Sequence, residues 1–114
     1  MVGGVVKKTT RIIKGSGNVF ADLGLPNSEE LLFKAQIASE IARSLRDRGL
    51  TQVEAGKLMG VDQAKVSALL RGRLDEFSID RLIRFVILLG RDIEFRISRP
   101  HKRRAGRVKV TSAA

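Results

Sequence analysis

The sequence predicts a mainly α-helical domain closed by a single C-terminal β-strand. Two observations carry this. Between positions 27 and 89, apolar residues recur at helical spacing in four stretches, and each stretch runs into a glycine: Gly49, Gly60, Gly72 and Gly90. From Asp92 to Ser98 the period then changes from helical to two, the period of a strand with one buried face.

The elements follow in order. Residues 1–17 are glycine-rich and basic and are expected to form a flexible N-terminal arm, although VVKKTTRII also has the makings of a strand. Residues 18–98 are expected to form the folded domain, and 99–114 a basic tail. The loop over 18–26 carries Val19, Phe20, Leu23 and Leu25, which are expected to tuck under the helices. Asn27 and Glu30 have capping-box spacing, and a long helix to about Arg48 should follow. Its expected inner face is Leu31, Ala35, Ala38, Ile41, Ala42 and Leu45, and Gly49 ends it.

Residues 50–72, LTQVEAGKLMGVDQAKVSALLRG, hold the most information. Thr51 is a good N-cap, and Glu54 completes a capping box. Gly60 suits the left-handed turn that closes a helix. Asp62 then caps a second helix that opens at Gln63. Val53, Leu58, Met59, Val66, Leu69 and Leu70 are the expected packing residues. Ala55 and Gly56 are small enough to let two helices approach closely. The second helix begins with Gln63, Lys65 and Ser67, a polar and basic start that predicts an exposed face. This is the layout of a helix-turn-helix whose second helix enters a DNA groove. Beyond it come a loop over 71–77, a cap at Ser78, a helix over 79–89 and the strand.

The segment resembles the helix-turn-helix of the lambda-repressor/Cro, or xenobiotic response element (XRE), family. Thr51, Gln52, Ala55, Gly60, Gln63, Val66, Ser67 and Gly72 stand at the family's spacing without a gap. Gly56 departs from it, since Ala is commoner there. The resemblance implies a lambda-repressor-like helical domain. The DNA-contacting candidates are Gln52, Gln63, Ala64, Lys65, Ser67, Arg71 and Arg73. Gln63 carries an amide able to pair with adenine. Gln52 sits at a helix N-terminus that favours phosphate. Arg71 and Arg73 follow the recognition helix, where they could grip the backbone.

Charge agrees with a nucleic-acid partner once it is located. The net charge is +10, yet residues 15–98 contain twelve Lys or Arg and twelve Asp or Glu. The excess lies in Lys7, Lys8, Arg11 and Lys14 at one end, and in Arg99, Lys102, Arg103, Arg104, Arg107 and Lys109 at the other. Such tails suit a phosphate backbone, because binding releases counterions; solvated tails that only aid solubility are the alternative. Cysteine is absent and His101 is the only histidine, so no Cys-based metal site is expected, and no cofactor. Asp75-Glu76 and Glu29-Glu30 are neighbouring carboxylates in a loop and at a helix start, with no partner for catalysis, so no enzyme is expected. Gly15-Ser16-Gly17 lacks the residues of a phosphate loop. No apolar run approaches a membrane span, and the interrupted N-terminus makes a poor signal peptide, so a cytoplasmic protein is expected.

Two features point to a homodimer. A lone strand needs a partner: the N-terminal arm, the tail or a second copy. Leu88 falls among Asp80, Arg81 and Arg84, on the face of its helix that should meet water. Leu88, Ile93, Phe95 and Ile97 are therefore the expected dimer contacts, with double-stranded DNA carrying an inverted repeat as the target. The order of long helix, helix-turn-helix, RGRLDEFSIDRL and LGRDIEFRI over about 17–98 further resembles the HigA-like antitoxins of toxin–antitoxin pairs. That resemblance implies a repressor of its own operon and a RelE-like ribonuclease toxin as partner. A stand-alone regulator is the alternative. A basic RNA-binding or nucleoid-like protein that uses its tails is a more distant one.

Overall fold

The computed structural model describes residues 24–112. It contains four α-helices: α1 (Asn27–Asp47), α2 (Gln52–Met59), α3 (Gln63–Leu70) and α4 (Ile79–Leu88). A short 3-10 turn, Leu74–Glu76, lies between α3 and α4. α1 packs mainly on α4, and α2 on α3. The core joins all four: Phe33, Ile37, Ile41 and Leu45 from α1, Ala55 and Met59 from α2, Val66 and Leu69 from α3, and Leu82, Phe85 and Val86 from α4. Phe77 enters it edge-on to Phe85, with ring centroids 6.0 Å apart. Among the described residues, no helix is long and apolar enough to cross a membrane.

The helix-turn-helix boundaries match expectation because local chemistry sets them. Thr51 caps α2, its hydroxyl accepting from the Glu54 N–H at 3.1 Å. The Glu54 carboxylate accepts from the Thr51 N–H at 2.8 Å, closing the box. Gly60 ends α2 at φ 74°, and its N–H donates to the Gly56 carbonyl. Asp62 caps α3 through the Lys65 N–H, and Ser78 caps α4 through the Arg81 N–H.

Gly56 is where the motif departs from the alanine usual in the family it resembles, and the turn explains it. The Val61 N–H donates to the Gly56 carbonyl at 2.9 Å. A β-carbon at position 56 would lie 2.5 Å from the Val61 carbonyl oxygen, an atom of the backbone. The turn passes closer to α2 than an alanine allows.

Other expectations need correction. Asn27 does not cap α1. Pro26 takes that position in an extended conformation with no side-chain bond, and Asn27 is already helical. Glu30 therefore pairs one turn ahead, with Lys34 at 3.5 Å. The inner face of α1 is Phe33, Ile37, Ile41, Ser44 and Leu45. Leu31 is 58% exposed, and Ala35 and Ala42 are only half-buried. Two stripes compete on this helix, and the one holding Phe33 and Ile37 removes more apolar area from water than the alanine stripe does. Val53, Leu58 and Leu70 are exposed, so only Met59, Val66 and Leu69 of the six expected packing residues are buried. Val53 lies two residues before Ala55, about 200° round the helix, and more than a right angle from the centre of the buried stripe of Ala55, Gly56 and Met59.

The expected strand over 92–98 is not formed in the single chain, and no strand occurs among the described residues. Phe95 and Ile97 are 72% and 95% exposed. The chain leaves α4 through Arg91, whose Nη1 donates to the Glu40 carboxylate at 2.8 Å and to Ser44 Oγ at 3.2 Å. It then returns. Val110 packs against the core, and its N–H donates to Gln36 Oε1 at 3.1 Å. Ser112 Oγ donates to Glu40 and accepts from Arg43. Leu25 packs against the core as expected. The arm over 1–17 and Val19, Phe20 and Leu23 lie outside the described residues.

Gly56→Ala should destabilise the fold by about 1–3 kcal/mol, although helix propensity alone would gain about 1 kcal/mol. Urea unfolding measures it, and a variant as stable as wild type would show that the turn yields. The capping box adds a pH dependence. The Thr51 backbone N–H, then its hydroxyl, hold the Glu54 carboxyl below its ordinary value, with Lys57 assisting. A depressed folded value means the stabilisation is complete at neutral pH and is lost as pH falls through that value. Glu54→Gln should therefore flatten the acid limb of stability against pH, measured by urea midpoints. An unchanged limb would mean the carboxylate is not bonded in solution.

Candidate nucleic-acid interface

The N-termini of α2 and α3 meet at one surface. Each start is fixed by a side-chain cap, so the first residues of both helices have defined positions. Gln52 opens α2 and Gln63 opens α3. Gln63 Nε2 donates to Gln52 Oε1 at 2.9 Å, tying the two starts together. Gln63 is exposed, and Gln52 half-buried. This bond holds Gln63 while leaving its Oε1 and second N–H available, the two groups that an adenine edge needs. Gln52 is held beside the free amides of the first turn of α2.

The remaining sequence candidates fall into two groups. Ala64 is exposed next to Gln63, and Ser67 is half-buried one turn along. Lys65 turns away from Gln63. Its Nζ lies 3.3 Å from Glu76 Oε1 and 5.8 Å from the centre of the Phe77 ring. Arg71 is the C-cap of α3, and Arg73 precedes the 3-10 turn; both are exposed. The structure thus brings Gln52, Gln63 and Ala64 to one edge, with Lys65 drawn towards the 3-10 turn.

Sequence reasoning did not foresee the Gln52–Gln63 bond or the part played by Glu76. Both pairs span eleven residues. The gap-free motif spacing fixes the first separation, so that signal was present. The second depends on how the chain turns after Gly72, which residue spacing alone does not give.

The basic tail ends elsewhere. Gln36, Glu40 and Arg43, which hold Val110 and Ser112, share one flank of α1. Lys34, which donates to the Leu74 carbonyl at 3.4 Å, lies on the opposite flank. At about 100° per residue these flanks are well over a right angle apart. Arg99, Lys102, Arg103, Arg104, Arg107 and Lys109 are all exposed between Arg91 and Val110, both of which are held on α1.

Comparison with known proteins accords with the geometry. A helix-turn-helix domain family matches residues 19–98. A solved structure assigned to the XRE family of transcriptional regulators is 34% identical. The match covers 77% of this chain and 100% of that one, with a TM-score of 0.71. None of the curated proteins matches. The two capped helix starts, the left-handed glycine between them, the glutamine pair and both matches agree: the chain belongs to the XRE-type helix-turn-helix family.

Proposed function

We propose that this chain is a sequence-specific DNA-binding repressor that works as a homodimer on an inverted repeat. The coarser statement, a DNA-binding regulator of transcription, follows from the family. The finer one rests on a single observation: Gln63 is exposed at the start of α3 and is steadied by Gln52. A side chain held in this way reads a base edge with less entropy to lose than a free one. Gln63 and Ala64 face the bases, Ser67 lies beside them, and Gln52, Arg71 and Arg73 take phosphates. Lys65, paired with Glu76, flanks this face and adds a phosphate contact at its edge. The place of action is the cytoplasm.

The dimer is supported by what a single chain leaves in water. Ile97 is 95% exposed, Phe95 72%, Leu88 40% and Ile93 37%. Leu88 lines an open groove of about 580 Å³ with Leu58, Lys57, Arg81 and Arg84. In a dimer, residues 92–98 of two copies pair as strands beside Leu88, and the recognition helices fall about one DNA turn apart. The resemblance to HigA-like antitoxins supports a further role: the antitoxin of a toxin–antitoxin pair that represses its own operon, with a RelE-like toxin as partner. A small reading frame beside this gene encoding such a toxin, and co-purification of the two proteins, would test that role. Absence of both would leave a stand-alone regulator.

Gln63→Ala should cost about 1–3 kcal/mol on the selected operator and relax preference at one base pair. Arg71→Gln should instead weaken all duplexes alike and lower the salt slope by about 1. Binding selection followed by salt titration separates the two, and an unchanged preferred site in the Gln63 variant would remove its base-reading role. Ile97→Asp tests the dimer. The side chain is almost fully exposed, so the fold should lose no more than about 0.5 kcal/mol. Sedimentation should show dimers for wild type and monomers for the variant, with most operator affinity lost. A wild-type monomer, with or without operator, would overturn the palindromic architecture.

A further inference from the structure

The chain beyond α4 is pinned at both ends, and one carboxylate holds both. Glu40 Oε1 accepts from Arg91 Nη1 at 2.8 Å and from Ser112 Oγ at 3.1 Å. Arg43 donates to the same Ser112 hydroxyl, and the Val110 N–H donates to Gln36 Oε1 at 3.1 Å. The Glu40 side chain is 17% exposed, so water competes little for these bonds. Residues 92–109 therefore form a closed loop on one flank of α1. After Glu94 the loop has no acidic residue, and it carries Arg99, Lys102, Arg103, Arg104, Arg107 and Lys109. Arg104 turns back on the loop, to the Ala105 carbonyl and to His101. The other five are exposed and, among the described residues, pair with no carboxylate. The helix-turn-helix match ends at residue 98, so this run is no part of the motif.

We propose that this closed basic loop is a second DNA-backbone site, which takes the phosphates of a duplex segment other than the one read by α3. The proposal goes beyond the operator contact and rests on it, because operator binding is what brings further DNA close. Three features set the ligand. Cations gathered without carboxylates repel one another, and a duplex relieves this while releasing its own counterions. Arginine forks match phosphate oxygens two at a time. Position supplies the third. The loop closes on the Gln36–Glu40 flank of α1, whereas the 3-10 turn that follows α3 lies on the Lys34 flank. That separation points the loop away from the operator and towards another segment. Closure also favours binding: a free tail loses its conformational freedom on a duplex, and a loop already pinned at both ends has less to lose. The protein then bridges two segments, one read by sequence and one held by charge.

The test fixes a selected operator duplex to a surface, saturates it with the full chain, and adds a labelled random duplex across salt. Wild type should be retained by the operator and then capture the second duplex. The triple variant Lys102→Gln, Arg103→Gln, Arg107→Gln removes three phosphate contacts from exposed positions. Its salt slope for the second duplex should fall by about 2.7, and capture should fall about a hundredfold at physiological salt. Operator affinity, operator slope and thermal midpoint should stay as in wild type. Arg103→Lys with Arg107→Lys keeps the charge and should keep the slope. Equal capture by the triple variant would overturn the proposal, since a free helix-turn-helix would then hold the second duplex. A matching fall in the operator slope would also overturn it, by placing the loop on the operator itself. So would a wild type that stays on the operator and captures nothing. A wild type that no operator retains would remove the proposed DNA-binding function at the first step, and bridging with it.

Discussion

The angle between α2 and α3 depends on one close approach, the Gly56 backbone against the Val61 carbonyl. Gly56 supplies the space for that carbonyl and also accepts the Val61 N–H at 2.9 Å. With Gly60 in the left-handed conformation at φ 74°, the chain passes from α2 to α3 through residues 60–62 alone. Asp62 can then cap α3 at once. The Gln52–Gln63 bond follows from this, because it needs two helix starts at a fixed separation. Buried Ala55, Met59, Val66 and Leu69 fix the same pair from beneath. The surface residues need no strength of their own; the core and the turn set their positions.

Charge is arranged locally. Residues 15–98 are neutral as a stretch, with acid and base in equal number. Attraction to DNA must then come from where charges sit. Arg71 and Arg73 are exposed beyond α3, whereas Lys65 is held on Glu76 and Arg91 on Glu40. Arg91 belongs to the architecture: it anchors the chain leaving α4 to the second half of α1. The six cations over 99–109 are exposed, but their downstream anchor lies on the flank of α1 opposite Lys34 and the 3-10 turn. A basic run in a sequence therefore carries less positional information than its charge suggests.

What the sequence made legible was chemistry closed within a few residues. Thr51 with Glu54, Asp62, Ser78 and the left-handed Gly60 act over one turn, and each stands where expected. Competition between local options was harder to read. Pro26 displaced Asn27 as the start of α1 by one residue. Phe33 and Ile37 outweighed an alanine stripe of equally good helical period, because burial scales with area and periodicity does not record it. Contacts between distant segments were not legible. Val110 on α1 and Glu76 on Lys65 join segments whose meeting no spacing rule encodes. In the site, the residues at the two helix starts could be named in advance, but not the bonds that hold them.

The segment over 92–98 shows why a correct pattern can still lack its element. Alternation records which face of a strand is apolar, yet a strand exists only through ladder hydrogen bonds to a neighbour. Ile93, Phe95 and Ile97 carry the pattern, and Ile97 stands almost wholly in water. Such an edge is a liability that folded chains seldom leave uncovered. In the proposed dimer, pairing covers this segment and spaces the two recognition helices in the same event. Stability would then depend on protomer concentration, as it does wherever association and folding are linked. Operator DNA, which binds only the assembled pair, would stabilise the fold through the same equilibrium. On that proposal the strand pattern carries information about assembly rather than about the fold of one chain.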